Sequence, residues 1–371
     1  MIPISKPFMD EREAEAAARV IHSGWVTQGP EGEAFESEFA TFTGAAHAVA
    51  VSSGTTALHL ALHALGLGPG DEVITVSHSW IATANVIVHC GATPVFADID
   101  PKTLNMDPAS VAALVSEKTK AILAVHQIGM PCDLPALLAI AEAHDIPLVE
   151  DAACAIGSGI LVEGAPDRQP IGRPHGVMAC FSFHPRKVLT TGDGGMITTS
   201  DDSLAERLKL LRNHAIQVPE SFSEVGFNYR LTDIQSAIGR VQLSRLPGFL
   251  ERRRALAGEY ASLLEALPGI AVPYEPVWAH SNWQSYAVRL DPAMDQRVVL
   301  ASLKESGVGA KRGIMNAHQE PAYASIDWRA KGLEHSEEAR DHTILLPLYH
   351  QLTSQEIAHV VHSLTKAVHH G

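Results

Sequence analysis

After a helix-like stretch from Glu11 to Ile21 that ends at Ser23-Gly24, the chain alternates short apolar runs with amphipathic stretches as far as about residue 245. That alternation restricts the fold more than any other feature. HAVAVSS precedes GTTALHLALHAL, EVITVSH precedes WIATANVIVHC, and TPVFADI, AILAVHQI, LPALLAIAEAHD, IPLVEDA and MACFSFH follow in order. Short β-branched runs separated by helices predict an α/β fold, with a mixed, mainly parallel sheet flanked by helices. In such sheets ligands sit beyond the carboxyl ends of the strands, so the residues at those ends carry the chemistry.

Past this region the pattern changes. A helix over Asp233 to Leu246, capped by Thr232 or Asp233, is expected to stop before Pro247, and a long helix over Glu251 to Leu267 leads onward. WQSYAVRL reads as a strand, Asp295 to Ser306 as a helix and Thr353 to His369 as the last helix. The expected division is a large domain over 1–245 and a smaller α+β domain over 246–371, closely packed because no low-complexity linker separates them.

A chain of 371 residues with this apolar content can bury a large core. The net charge of -14 argues against a nucleic-acid surface, which needs a concentrated basic face. No stretch offers the roughly 20 apolar residues of a membrane span. The start lacks a secretory pattern, so a cytoplasmic protein is expected. The four cysteines, Cys90, Cys132, Cys154 and Cys180, show no spacing for a disulfide framework or a zinc site. The twenty histidines are scattered without HExxH-like spacing, and no metal is expected.

Lys187 lies in FSFHPRKVLTTGDGGMITT, between a β-prone segment (Met178 to Phe183) and a Thr/Gly-rich turn (Thr190 to Gly195). A lysine held at the mouth of a sheet suits Schiff-base chemistry, which needs a deprotonated amine favoured by desolvation or a neighbouring cation such as Arg186. A solvated loop lysine is the plainer reading. Asp151 closes the apolar run IPLVED, where a bare carboxylate is costly and a protonated ring nitrogen would partner it. Ser53-Gly54-Thr55 opens a helix after a strand, and the free amides there favour an anion such as phosphate. Trp80 follows EVITVSHS and offers an aromatic face. Together the lysine, aspartate, helix start and aromatic ring are what pyridoxal 5′-phosphate (PLP) requires.

With these segments in order, the chain resembles the DegT/DnrJ/StrS family of sugar aminotransferases, of the aspartate aminotransferase-like type I fold. GWVTQGPEGEAFESEFATFTG, GPGDEVITVSHSWIATANVI, VEDAACAIGS, FSFHPRKVLTTGDGGM, GFNYRLTDIQSAIGRVQL and LPLYHQLTSQEI carry the resemblance from end to end. It implies that Lys187 is the cofactor-bearing lysine and proton shuttle, Asp151 the partner of the pyridine nitrogen and Trp80 the stacking residue. Gly54, Thr55, Thr56 and Ser182 would hold the phosphate. Asn228 would reach the phosphate in the neighbouring subunit, making a homodimer with shared sites. The implied reaction takes the amino group of L-glutamate through the pyridoxamine form (PMP) to a ketone, most simply a nucleotide-linked keto-deoxysugar.

Two departures from the family pattern stand out. Cys154 replaces the usual glutamine or histidine near the cofactor's phenolic oxygen. KRGIMNAHQEPAY replaces an aromatic-rich stretch on the substrate side, with Arg312, His318 and Tyr323 as candidate substrate contacts. A cyclitol or other non-nucleotide ketone, a PMP-dependent sugar dehydratase and a non-catalytic PLP-binding regulator are the alternatives.

Overall fold

The computed structural model of the chain describes residues 1–162, 164–218 and 221–370. Its first half winds through α1 (Glu11–Ser23), α2 (Pro30–Thr43), β1 (His47–Val51), α3 (Gly54–Ala64), β2 (Glu72–Val76), α4 (Ala82–His89) and β3 (Thr93–Ala97). Next come α5 (Pro108–Ala112), β4 (Thr119–Val125), α6 (Leu134–Ala143) and β5 (Leu148–Asp151). Two further strands, Met178–Ser182 and Gly195–Thr199, precede α7 (Asp202–Arg212).

These strands build one eight-stranded sheet in the order β1, Gly195–Thr199, Met178–Ser182, β5, β4, β2, β3, Arg329–Ala330. Gly195–Thr199 runs antiparallel to both neighbours, and the other pairings are parallel. Most strand residues are buried whichever face they point to, which explains why the runs read as continuously apolar. One face packs Phe35 and Phe39 of α2 and Leu134 and Leu137 of α6 against Ile74, Ala124 and Phe181. The other packs Leu58 and Leu62 of α3, Val86 and Ile87 of α4 and Leu208 and Leu211 of α7.

Pro247 does not break the chain into two helices. Instead α8 runs unbroken from Asp233 to Leu264, 32 residues with the proline inside. A proline there lacks the N–H that would bond the Leu243 carbonyl. The helix survives because packing holds both halves: Leu243, Leu246, Phe249 and Leu250 sit in the first core, and Leu256, Tyr260 and Leu264 in another. That last core lies on a four-stranded antiparallel sheet ordered Ile270–Ala271, Tyr286–Leu290, Thr343–Leu346, Lys311–Arg312. It is covered by α9 (Gln296–Glu305) and α11 (Ser354–His370), while α10 (Glu334–His342) leads into it.

The sheets do not respect a cut at 245/246. Arg329–Ala330 pairs in parallel with Val95–Phe96 and becomes the edge of the large sheet. At the other end of the chain, Ile2 bridges to Val308 of the smaller layer. A two-residue strand carries no periodicity, so the sequence offers no sign of this exchange. Among the described residues, no helix is long and apolar enough to cross a membrane.

Candidate active site

The carboxyl ends of β2, β4, β5 and Met178–Ser182 converge on one edge of the large sheet. Segments from the smaller layer close over that edge: Asn282 Nδ2 donates to the carbonyls of Cys154 (2.7 Å) and Ile156 (2.9 Å), and Gln284 Nε2 to that of Arg186 (2.7 Å). The Ala317 amide donates to the Ser77 carbonyl at 2.9 Å. Asp151, Cys154 and Lys187 lie along this seam.

Asp151, the last residue of β5, is 4% exposed. Its Oδ2 accepts the Thr83 hydroxyl of α4 at 2.8 Å and its Oδ1 the Ala153 amide at 3.1 Å. Burial pushes its carboxyl above the usual range, while Thr83, Ala153 and the nearby Lys187 charge pull the other way. Both direct donors are neutral, and each carboxylate oxygen can accept more than one bond. The pocket therefore lacks a cationic donor in contact with the acid. A protonated ring nitrogen would supply such a donor.

Lys187 sits in the turn after Met178–Ser182, its amide bonded to the His184 carbonyl at 2.8 Å. Its Nζ reaches Cys154 Sγ at 2.9 Å. Cys154 stands in the turn directly after β5, three residues past Asp151. The neighbouring strand ends thus hold the amine, the thiol and the buried acid in one place.

The opening turn of α3 makes a cradle. Ser53 Oγ accepts the Thr56 amide at 3.1 Å, and Thr56 Oγ1 accepts the Ser53 amide at 2.9 Å, a closed capping box. The Thr56 side chain is therefore committed to the cap, and the first amides of the helix, which have no partner inside it, remain for an anion. Gly54 is required by space: a Cβ there would lie 2.6 Å from Ser182 Cβ. That contact also brings Ser182 to the cradle. Trp80, 68% exposed, stands at the start of the α4 turn, where its carbonyl accepts the Thr83 amide at 3.0 Å.

Asn228 is exposed on the segment that bridges Val51 to Arg230, and Tyr229 O accepts the Ser52 amide at 2.8 Å. Arg230 Nε donates to Asn228 Oδ1 at 3.2 Å.

The three substrate candidates are not gathered together. Arg312 is exposed at the edge of the small sheet. His318 shares a 2.6 Å hydrogen bond with Ser77 Oγ and contacts Glu337 at 3.1 Å, which ties its segment to the end of β2. Tyr323 is 2% exposed, packs beside Phe96 and donates to Asn85 Oδ1 at 3.0 Å. Its ring and hydroxyl are both occupied, so it braces α4 instead of facing a ligand.

Thr83 and Asn282 were not legible as site residues. Thr83 could have been found by asking which donor on the helix after Trp80 satisfies a buried Asp151. Asn282 carries no local signal. Among the described residues, no cluster of three or more His, Cys, Asp or Glu could hold a metal ion.

Comparison with known proteins gives a consistent answer. The pattern of the DegT/DnrJ/EryC1/StrS aminotransferase family matches residues 7–365. The aminotransferase TlmJ from Streptoalloteichus hindustanus is 34% identical, with a TM-score of 0.93 over 100% of this chain and 99% of that one. DesV of S. venezuelae, solved in complex with a ketimine intermediate, is 36% identical, with a TM-score of 0.90 over 98% of each chain. Spr1654 of Streptococcus pneumoniae, a candidate sugar aminotransferase solved in PMP and PLP forms, is 27% identical, with a TM-score of 0.93 in both forms; each match covers 100% of this chain, and 98% and 99% of the PMP-form and PLP-form chains. The chain belongs to the DegT/DnrJ/EryC1/StrS aminotransferase family.

Proposed function

We propose that the protein is a PLP-dependent aminotransferase that moves the amino group of L-glutamate to a nucleotide-linked keto-deoxysugar in amino-sugar biosynthesis. The observation that carries the cofactor is Asp151: a buried acid with only neutral direct donors, set beside an amine at the next strand end. Bound there, PLP supplies an electron sink for the bond being broken. Asp151 holds negative charge against the ring nitrogen and so keeps it protonated. The amides of Gly54 and Thr55, with Ser182, bind the phosphate, while Thr56 fixes their geometry. Trp80, exposed beside this edge, would stack on the ring. Lys187 Nζ anchors the cofactor, takes the α-proton of the donor and returns a proton in the opposite half-reaction.

Membership of a sugar-aminotransferase family supports the acceptor class. Arg312 is exposed, and a guanidinium suits a phosphate or carboxylate on the acceptor; His318, hydrogen-bonded to Ser77 at the end of β2, is a second candidate contact. Asn228 is exposed on the segment beside the α3 cradle, which supports a homodimer with sites completed across the interface.

The acceptor is tested by loading the protein with amino groups from L-glutamate, removing the donor and offering nucleotide-linked ketosugars beside cyclitol ketones. Consumption of a nucleotide-linked ketosugar is expected. Turnover of cyclitol ketones alone would contradict the assignment.

A further inference from the structure

Cys154 touches Lys187 at the neighbouring strand ends. The contact, 2.9 Å from Sγ to Nζ, pairs a thiol with an amine nucleophile, and both main chains are anchored. Asn282 holds the Cys154 carbonyl, and the Lys187 amide bonds to His184 O. Cys154 is only partly buried, so a small oxidant can reach it. The other thiols are poorer targets. Cys132 and Cys180 are buried, and burial pushes the Cys90 thiol up to about 11 and that of Cys180 upward as well.

We propose that Cys154 and Lys187 form a peroxide-sensitive modification site, in which oxidised Cys154 condenses with the free Lys187 amine to a reversible sulfur–nitrogen cross-link. In the first step Cys154 Sγ attacks hydrogen peroxide. The S–O bond forms, the O–O bond breaks, sulfur loses two electrons, and one water leaves with the thiol's proton. In the second step Lys187 Nζ displaces the hydroxyl of the resulting sulfenic acid; the S–N bond forms and a second water carries away that hydroxyl with one amine proton. Two equivalents of a small thiol reverse the link, regenerating Cys154 and Lys187 and leaving one small-molecule disulfide. A glutamine or histidine at this position could not undergo the chemistry. The effect of cofactor loading on the cross-link, though not the cross-link itself, rests on Lys187 being the cofactor lysine. On that reading the link forms whenever the amine is free and is blocked when Lys187 carries PLP.

The test treats full-length protein with hydrogen peroxide in three states: cofactor-free, PMP-loaded and PLP-loaded. Each is followed by proteolysis and mass spectrometry. In the first two states the Cys154 and Lys187 peptides are expected to be joined, two hydrogens lighter than their sum, and separated by dithiothreitol. Cys154→Gln abolishes the link, whereas Cys90→Ser leaves it unchanged. Over-oxidised Cys154 beside a Lys187 still open to an amine reagent, or a link that retains oxygen, would overturn the proposal. A dithiothreitol-reversible link formed equally in the PLP-loaded state would support the cross-link and overturn the reading of Lys187 as the cofactor lysine.

Discussion

Asp151 and Lys187 make opposite demands on their surroundings, and the sheet answers both at adjacent strand ends. Asp151 is buried with its carboxyl raised, held by Thr83 and Ala153. An asparagine in its place keeps the shape and removes the charge that pairs with a ring nitrogen. Breaking a buried charge pair costs roughly 3–5 kcal/mol, so Asp151→Asn should lower turnover by about 100-fold or more while the protein stays folded. Turnover measured beside circular dichroism checks this, and activity within a few-fold of the unsubstituted protein would remove Asp151 from its assigned role. Asp151 draws notice in the sequence because a charged side chain closing an apolar run needs an explanation of its own, and Lys187 because it stands between a β-prone run and a Thr/Gly-rich turn. Thr83 and Asn282 do not, since a hydroxyl on a helix or an amide in a loop has many ordinary uses and gains its meaning only from what lies opposite. Tyr323 shows the converse: its residue type suggested a ligand, and its hydrogen bond to Asn85 shows a brace.

Strands and helices of the large sheet could be read from period and composition, because the strands are apolar on both faces and helices such as α2 and α7 bury one stripe. The opening turn of α3 could also be read as a cap followed by free amides, although residue order alone does not reveal that Thr56 closes the capping box with Ser53. Elements failed to be legible where tertiary packing outweighed local preference. Pro247 predicts a break, yet α8 spans two cores and is stabilised along both halves. Arg329–Ala330 is too short to have a pattern, and its place beside β3 depends on partners far earlier in the chain.

The molecule as a whole places its chemistry on a seam, where Asn282, Gln284 and Ala317 from late segments close over strand ends formed much earlier. The proposed shared site would extend the same logic across two subunits. Mixing Lys187→Ala subunits with Asn228→Asp subunits should restore activity that neither homodimer has, because the mixed dimer regains one intact site; no gain on mixing would place each site within one chain. On the proposed reading, Lys187 and its neighbours carry an amino group from donor to cofactor. The most direct measurement is single-turnover release of 2-oxoglutarate from purified protein given PLP and L-glutamate with no acceptor. About one equivalent per subunit, absent in Lys187→Ala, is the predicted result. Release of the same amount by Lys187→Ala, or none by the unsubstituted protein, would contradict it.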